Sequence, residues 1–219
     1  MPIGHEELEE YSRFSFSLSG SIKRKEILNI RTCYNFLTQS KFGSKGEPQF
    51  FQSSLNRFAD SFRFIHLEQS IVDLMVALEA LIPVGDELRY RLAANCSFLL
   101  GTNEQRREQL YRRIKAAYEL RNAIVHGRRK NPKVDVANAL KKFFPKLNTK
   151  PNKEVLEHIF GAVMTLQDVV RRVLRAYIYM RHSNTRDEWP DTDDFECLLF
   201  DSQKRLLIQT QLGINREVI

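Results

Sequence analysis

From residue 52 onward, apolar residues recur at intervals of three and four, the spacing of one face of an α-helix. Phe64, Leu67, Ile71, Leu74, Met75, Leu78 and Ile82 make the first such stripe, and Pro83 stops it, since proline lacks an amide hydrogen and clashes with the preceding turn. A second helix is predicted from Asp86 to Leu100, with Gly101 as its C-terminal cap. Asn103 offers a side-chain oxygen to the free amides of a third helix, which runs to Gly127. "VDVANALKKFF" predicts a short helix, and Asn152 introduces a long one carrying Val155, Ile159, Val163, Leu166, Val170, Val173, Leu174 and Ile178. After the polar turn "HSNTRDEWPDTD", residues 194–211 predict a last helix. The first 50 residues read differently. "RFSFSLSG" alternates Phe14, Phe16 and Leu18 with serines, which is strand periodicity, while "SIKRKEILNI" fits a partner strand or a short helix. The expected fold is an all-α bundle over 51–185. An appendage, or the remnant of a preceding domain, over 1–50 precedes it, with β structure open there, and a helical extension over 186–219 packs on the bundle or on a partner.

The third helix breaks its own pattern. On a wheel of ~100° per residue, Leu110, Ile114, Ala117, Ile124 and Val125 share one face, and Arg121 lies at its centre. Asn122 and His126, four apart, sit together at the edge of that face. Polar groups at a packing surface cost stability unless something satisfies them. A helix C-terminus attracts cations through its macrodipole, and Gly127 suits a left-handed cap; this explains His126 but not an arginine on the apolar stripe. Chemistry is the competing explanation. An imidazole exchanges protons near neutrality, a guanidinium holds a phosphate and the charge that grows on it, and an amide orients either. Such a set suffices for metal-free cleavage of RNA, where the 2′-hydroxyl is the nucleophile. Glu68 and Glu79 flank the first apolar stripe, and either could meet Arg121 across the bundle, Glu79 being the preferred partner.

Charge sharpens this picture. Thirty-four Lys and Arg against 27 Asp and Glu leave a net +7, which favours polyanionic partners. Between Glu104 and Lys130 there are nine basic residues and three acids. Arg106, Arg107, Arg112, Arg113, Arg128, Arg129 and Lys130 are the candidate RNA-binding group, against the plainer reading of a solvated helix face. Arg171, Arg172 and Arg175 form a second cluster. Nothing suggests a metal or another cofactor: the five histidines and three cysteines are scattered, and no phosphate-binding glycine loop or HExxH occurs. No apolar run approaches the ~20 residues of a membrane span, and the acidic, polar start is unlike a signal peptide. The cytoplasm is the expected compartment.

"RNAIVH" fits the R-x4-6-H signature of HEPN domains (higher eukaryotes and prokaryotes nucleotide-binding) in its x4 form. Its surroundings, "DLMVALEALIPVGDELRYRLAANCSFLLGTNEQRREQLYRRIKAAYELRNAIVHG", closely resemble the Apea-like branch, where "LEAL", "LxxRLA" and "LRxxIVHG" helices follow in this order. The likeness covers roughly residues 55–182. It implies an antiparallel HEPN-type bundle that dimerises and an endoribonuclease leaving 2′,3′-cyclic phosphate and 5′-hydroxyl ends, in a prokaryotic antiviral (abortive-infection) or toxin system. Arg121 and His126 would be the catalytic pair and Asn122 their support, in a site completed by a second copy, with a sensor domain or antitoxin as a further partner. Arg128 stands where some HEPN toxins carry a modified tyrosine, so that mode of control is not implied. The alternative is a non-catalytic HEPN module that binds RNA, nucleotide or protein.

Overall fold

A computed structural model describes residues 49–63, 66–82, 87–126, 132–144, 153–182 and 192–211. These residues belong to one compact unit, Pro48–Ile219. They form eight helices and, among the described residues, no strand: α1 (Gln49–Asp60), α2 (Leu67–Leu81), α3 (Leu88–Leu100), α4 (Glu104–His126), α5 (Pro132–Phe143), α6 (Lys153–His182), α7 (Thr192–Phe200) and α8 (Ser202–Gln211). The chain is all-α over this region. The strands expected before residue 49, and the helix signals at Phe64, Pro83, Gly127 and Asn152, lie outside the described residues.

α2 is the hub. Leu67, Ile71, Leu74, Met75, Ala77, Leu78 and Leu81 are all buried, because α1, α4 and α6 pack around this one helix. Each large apolar side chain so buried contributes roughly 1.5–3 kcal/mol. The helical pattern that begins at residue 52 resolves into two helices rather than one. α1 ends in a turn in which the amides of Ser61, Phe62 and Arg63 donate to the carbonyls of Arg57, Ala59 and Asp60. The turn is held from afar, since Gln167 of α6 donates to the carbonyl and hydroxyl of buried Ser61 at 3.1 and 3.2 Å. α1 then lies along α2, tied by Ser54 Oγ donating to the Ala77 carbonyl and by an Arg57–Asp73 ion pair at 2.6 Å.

α3 ends at Gly101, whose amide donates to the Ser97 carbonyl at 2.8 Å. The backbone there is extended, with φ −88°, so the glycine is not needed for a left-handed cap. It is needed for space. A Cβ at this position would come within 2.5 Å of Arg107 Cγ and 2.6 Å of the Ser97 carbonyl oxygen. Asn103 caps α4 as its sequence predicts, accepting the Arg106 amide at 2.9 Å.

α7 and α8 pack on α3, and α8 also touches α6. Phe195, Leu199 and Ile208 are buried in this contact. Arg91 of α3 makes two hydrogen bonds to the Glu196 carboxylate, at 2.8 and 2.7 Å. Buried Gln209 reaches the end of α3, where its Nε2 donates to the carbonyls of Phe98, Leu99 and Gly101 at 3.1, 3.2 and 3.2 Å. The last carbonyls of a helix have no partner within it, and here a side chain from α8 supplies one.

Candidate active site

α4 is buried through Ile114, Ala116, Ala117 and Leu120. Leu120 and Ala116 thus complete a packing face that the helical wheel centres one step away, on Arg121. Arg121 sits half-buried at the edge of that face. Val125, expected in the core, is 47 % exposed, and His126 is exposed beside it. The last turn of α4 leaves the shelter of its neighbours.

Arg121 and His126 are five residues apart, so they stand about 7.5 Å apart along the axis and roughly 140° apart around it. Asn122 lies on His126's side of the helix, one turn away. It is also the link to Arg121, whose Nη1 donates to Asn122 Oδ1 at 3.0 Å. The guanidinium further lies 5.9 Å from the centroid of the Tyr118 ring, within reach of a cation–π attraction. Among the described residues, nothing hydrogen-bonds His126, which leaves its imidazole open to solvent or ligand.

Glu79 is the acid that Arg121 meets. Burial pushes its carboxyl above the ordinary carboxylate range, and the positive charge of Arg121 partly offsets this. Among the described residues no ion pair joins the two. Glu79 Oε1 and Arg121 Nε are each buried without a hydrogen-bond partner. Glu68 stands three turns earlier on α2, about 16 Å along the axis, and no contact joins it to Arg121 among the described residues.

The four described members of the expected basic group do not share one face of α4. Arg106, Arg107, Arg112 and Arg113 occupy the first half of α4, from about 20 to 30 Å short of His126, and they point in different directions. Arg107 turns inward, its guanidinium 5.7 Å from the Phe98 ring centroid. Arg112 pairs with Glu108 at 2.5 Å, whereas Arg113 is exposed. Arg128, Arg129 and Lys130 lie outside the described residues. Closer to Asn122, on the same side of α4, Glu119 binds Arg89 of α3 at 3.3 Å and Lys142 of α5 at 2.7 Å. In the second cluster, Arg171 and Arg172 both pair with Asp168.

The described residues contain no group of His, Cys, Asp and Glu that could hold a metal ion. No described helix is long and apolar enough to cross a membrane. His66 is exposed ahead of α2, and half-buried His158 packs beside Phe144, with ring centroids 5.9 Å apart. Two clefts flank α3, of about 250 and 600 Å3, and neither is lined by Arg121, Asn122 or His126. Among the described residues, the candidate site therefore lies at an exposed helix end. Neither a family model, nor a curated protein, nor a solved structure matches the chain.

Proposed function

We propose that this chain is a metal-independent endoribonuclease of the HEPN type, acting in a prokaryotic antiviral or toxin system. The observation that carries the proposal is the Arg121–Asn122 bond one turn before an exposed His126 that is unpaired among the described residues. A guanidinium bonded to an amide one turn before an accessible imidazole supplies the groups an RNA phosphate needs, with His126 moving the proton and Arg121 meeting the charge. Cleavage of RNA needs a base for the 2′-hydroxyl and an acid for the leaving oxygen, and one chain offers one imidazole. A two-fold dimer supplies both, since an isologous interface sets the same residues opposite each other. The exposed Val125 beside His126 offers apolar surface for such an interface.

The test is purified protein with a mixed RNA pool in EDTA, beside His126→Ala. Cleavage that survives chelation, spares substrates without the 2′-hydroxyl and disappears in the variant is expected. Robust cutting of DNA, or a strict metal requirement, refutes the mechanism. Titrating wild type with excess His126→Ala protein tests the shared site: activity falls below the wild-type share once subunits exchange, whereas linear tracking refutes it. A second reading, a non-catalytic module that binds RNA, nucleotide or protein, is favoured by the roughly 140° that separates Arg121 from His126 around one helix. It predicts RNA binding without cleavage.

A further inference from the structure

The larger cleft, about 600 Å3, lies between α3 and α7 and has the size of a site for one small ligand. Its two ends differ in kind. Glu87 and Tyr90 line it at the start of α3, and Phe98 and Phe200 line it at the far end. Glu87 and Phe98 are eleven residues apart, about 16 Å along the helix axis. At the first end the free charge is negative. Glu87 is exposed and makes no ion pair among the described residues, and Tyr90, 56 % exposed, sets an open ring one turn away. The other carboxylate of the cleft is already matched, since Glu196 accepts two hydrogen bonds from Arg91 and is supported by Asn95. At the far end no acid lines the wall, and Phe200 is 71 % exposed with its ring centroid 5.8 Å from that of Phe98. Neither Arg107 nor Arg205 lines the cleft, but their guanidinium groups lie 5.7 and 5.6 Å from the Phe98 centroid, so this end has positive charge behind it. The backbone singles out Glu87 as well. Its φ of 57° and ψ of 39° are left-handed, and among the described residues it is the one non-glycine residue with positive φ. Glycine adopts that conformation freely and would serve the fold better. Nor does the carboxylate cap α3, since the side chain makes no cap hydrogen bond. The dipole of α3 would favour an acid placed one residue further in just as well, without the left-handed backbone.

We infer that this cleft binds an organic cation with a short apolar stem, its ammonium head at Glu87 and Tyr90 and its stem running along α3 to Phe98 and Phe200. An ammonium gains from a carboxylate and from a ring face together, and the stem takes two exposed rings out of water. A neutral ligand of the same shape leaves Glu87 unmatched. A ligand with a charge at each end sets the second one near Arg107 and Arg205, so the cleft prefers one positive charge to two. That preference separates a built site from the general attraction of amines to an exposed acid. The inference does not rest on the ribonuclease reading, because Arg121, Asn122 and His126 lie outside this cleft.

The test is calorimetric titration of the full chain at neutral pH with octylamine, beside octanol and octanediamine, and with a leucine–lysine hexapeptide beside its lysine-acetylated form. Saturable binding of octylamine or of the hexapeptide is expected, with the neutral and doubly charged probes weaker. Glu87→Gln and Tyr90→Ser should each weaken binding about fivefold, the usual scale of one such contact. Both side chains are exposed, so the melting temperature should hold. Glu87→Gly should weaken binding while the melting temperature holds or rises, because glycine relieves the left-handed backbone. A hexapeptide that binds more tightly than octylamine identifies a lysine side chain of a partner as the ligand, and a tighter octylamine identifies a free amine. Absence of binding by both, octanol or octanediamine as tight as octylamine, an acetylated peptide as tight as the hexapeptide, or indifference to Glu87→Gln or Tyr90→Ser overturns the inference. Failure of RNA cleavage with these binding results intact would remove the ribonuclease reading alone.

Discussion

Replacing Gln209 by methionine tests how the C-terminal helices are attached. Methionine keeps the length and apolar stem of glutamine and deletes both amide hydrogens. In the native fold those two hydrogens are shared among the carbonyls of Phe98, Leu99 and Gly101, all within 3.1–3.2 Å. Gln209 is 3 % exposed, so water cannot readily take its place. Stranding buried acceptors costs about 1–3 kcal/mol. For a protein of this size, each kcal/mol moves the melting temperature by roughly 2–4 °C. A loss near the middle of that range gives a fall of about 4–8 °C. Gln209→Glu should be worse at neutral pH, because it sets a negative charge against the negative end of α3. Acidification should return part of that loss, since the protonated carboxyl regains a donor. Thermal and urea unfolding followed by circular dichroism measure each effect. A Gln209→Met protein within about 0.5 kcal/mol of wild type, the usual scatter of surface changes, would refute the reasoning. So would a Gln209→Glu protein more stable than Gln209→Met at neutral pH.

Other outcomes follow from the candidate site. His126→Ala should abolish RNA cleavage yet cost no more than about 0.3–1 kcal/mol, the usual value of a cation at a helix end, as read by urea unfolding. Burial lifts Glu79 above its reference 4.5, so its neutral form favours the fold; this stability is full below that value and is lost as pH rises through the folded pKa. Glu79→Gln cannot ionise, and should therefore match wild type in acid and exceed it at neutral pH. A variant that is less stable at neutral pH would show that attraction to Arg121 outweighs burial. Arg113, exposed and unpaired among the described residues, should touch the phosphate backbone, so Arg113→Gln should lower the slope of log affinity against log salt by about 0.7–0.9. An unchanged slope returns Arg113 to a solvated face.

Local signals in the sequence proved legible where the structure depends on neighbours in the chain. Apolar spacing marks the helices, and Asn103 marks a helix start because the cap closes within three residues. The break between α1 and α2 was not legible, because the turn at Ser61 is held by Gln167, 106 residues away. A wheel also cannot weigh its neighbours: it centres the α4 stripe on Arg121, whereas contact with α2, α3 and α5 puts Leu120 and Ala116 inside. Arg106, Arg107, Arg112 and Arg113 look like one group in a string, but successive residues of a helix turn by ~100°, which points the four to more than one side of α4. Asn95 carries the same signal that singles out Arg121, a polar residue among Leu92, Cys96 and Leu99. That signal was available in the sequence, and only the Glu196 contact, from a hundred residues on, gives it chemistry.

Burial along the end of α4 falls in steps. Leu120 is fully covered, Arg121 to Ile124 are half-covered, and Val125 and His126 are open. Amide hydrogen exchange follows such gradients, since a sparsely packed helix end opens without unfolding the rest. On this gradient the Arg121 amide should exchange with the slow body of the protein, and that of His126, five residues later, faster. Anything that docks on the last turn, whether a second subunit or a strand of RNA, would slow the histidine's exchange and leave the arginine's almost unchanged.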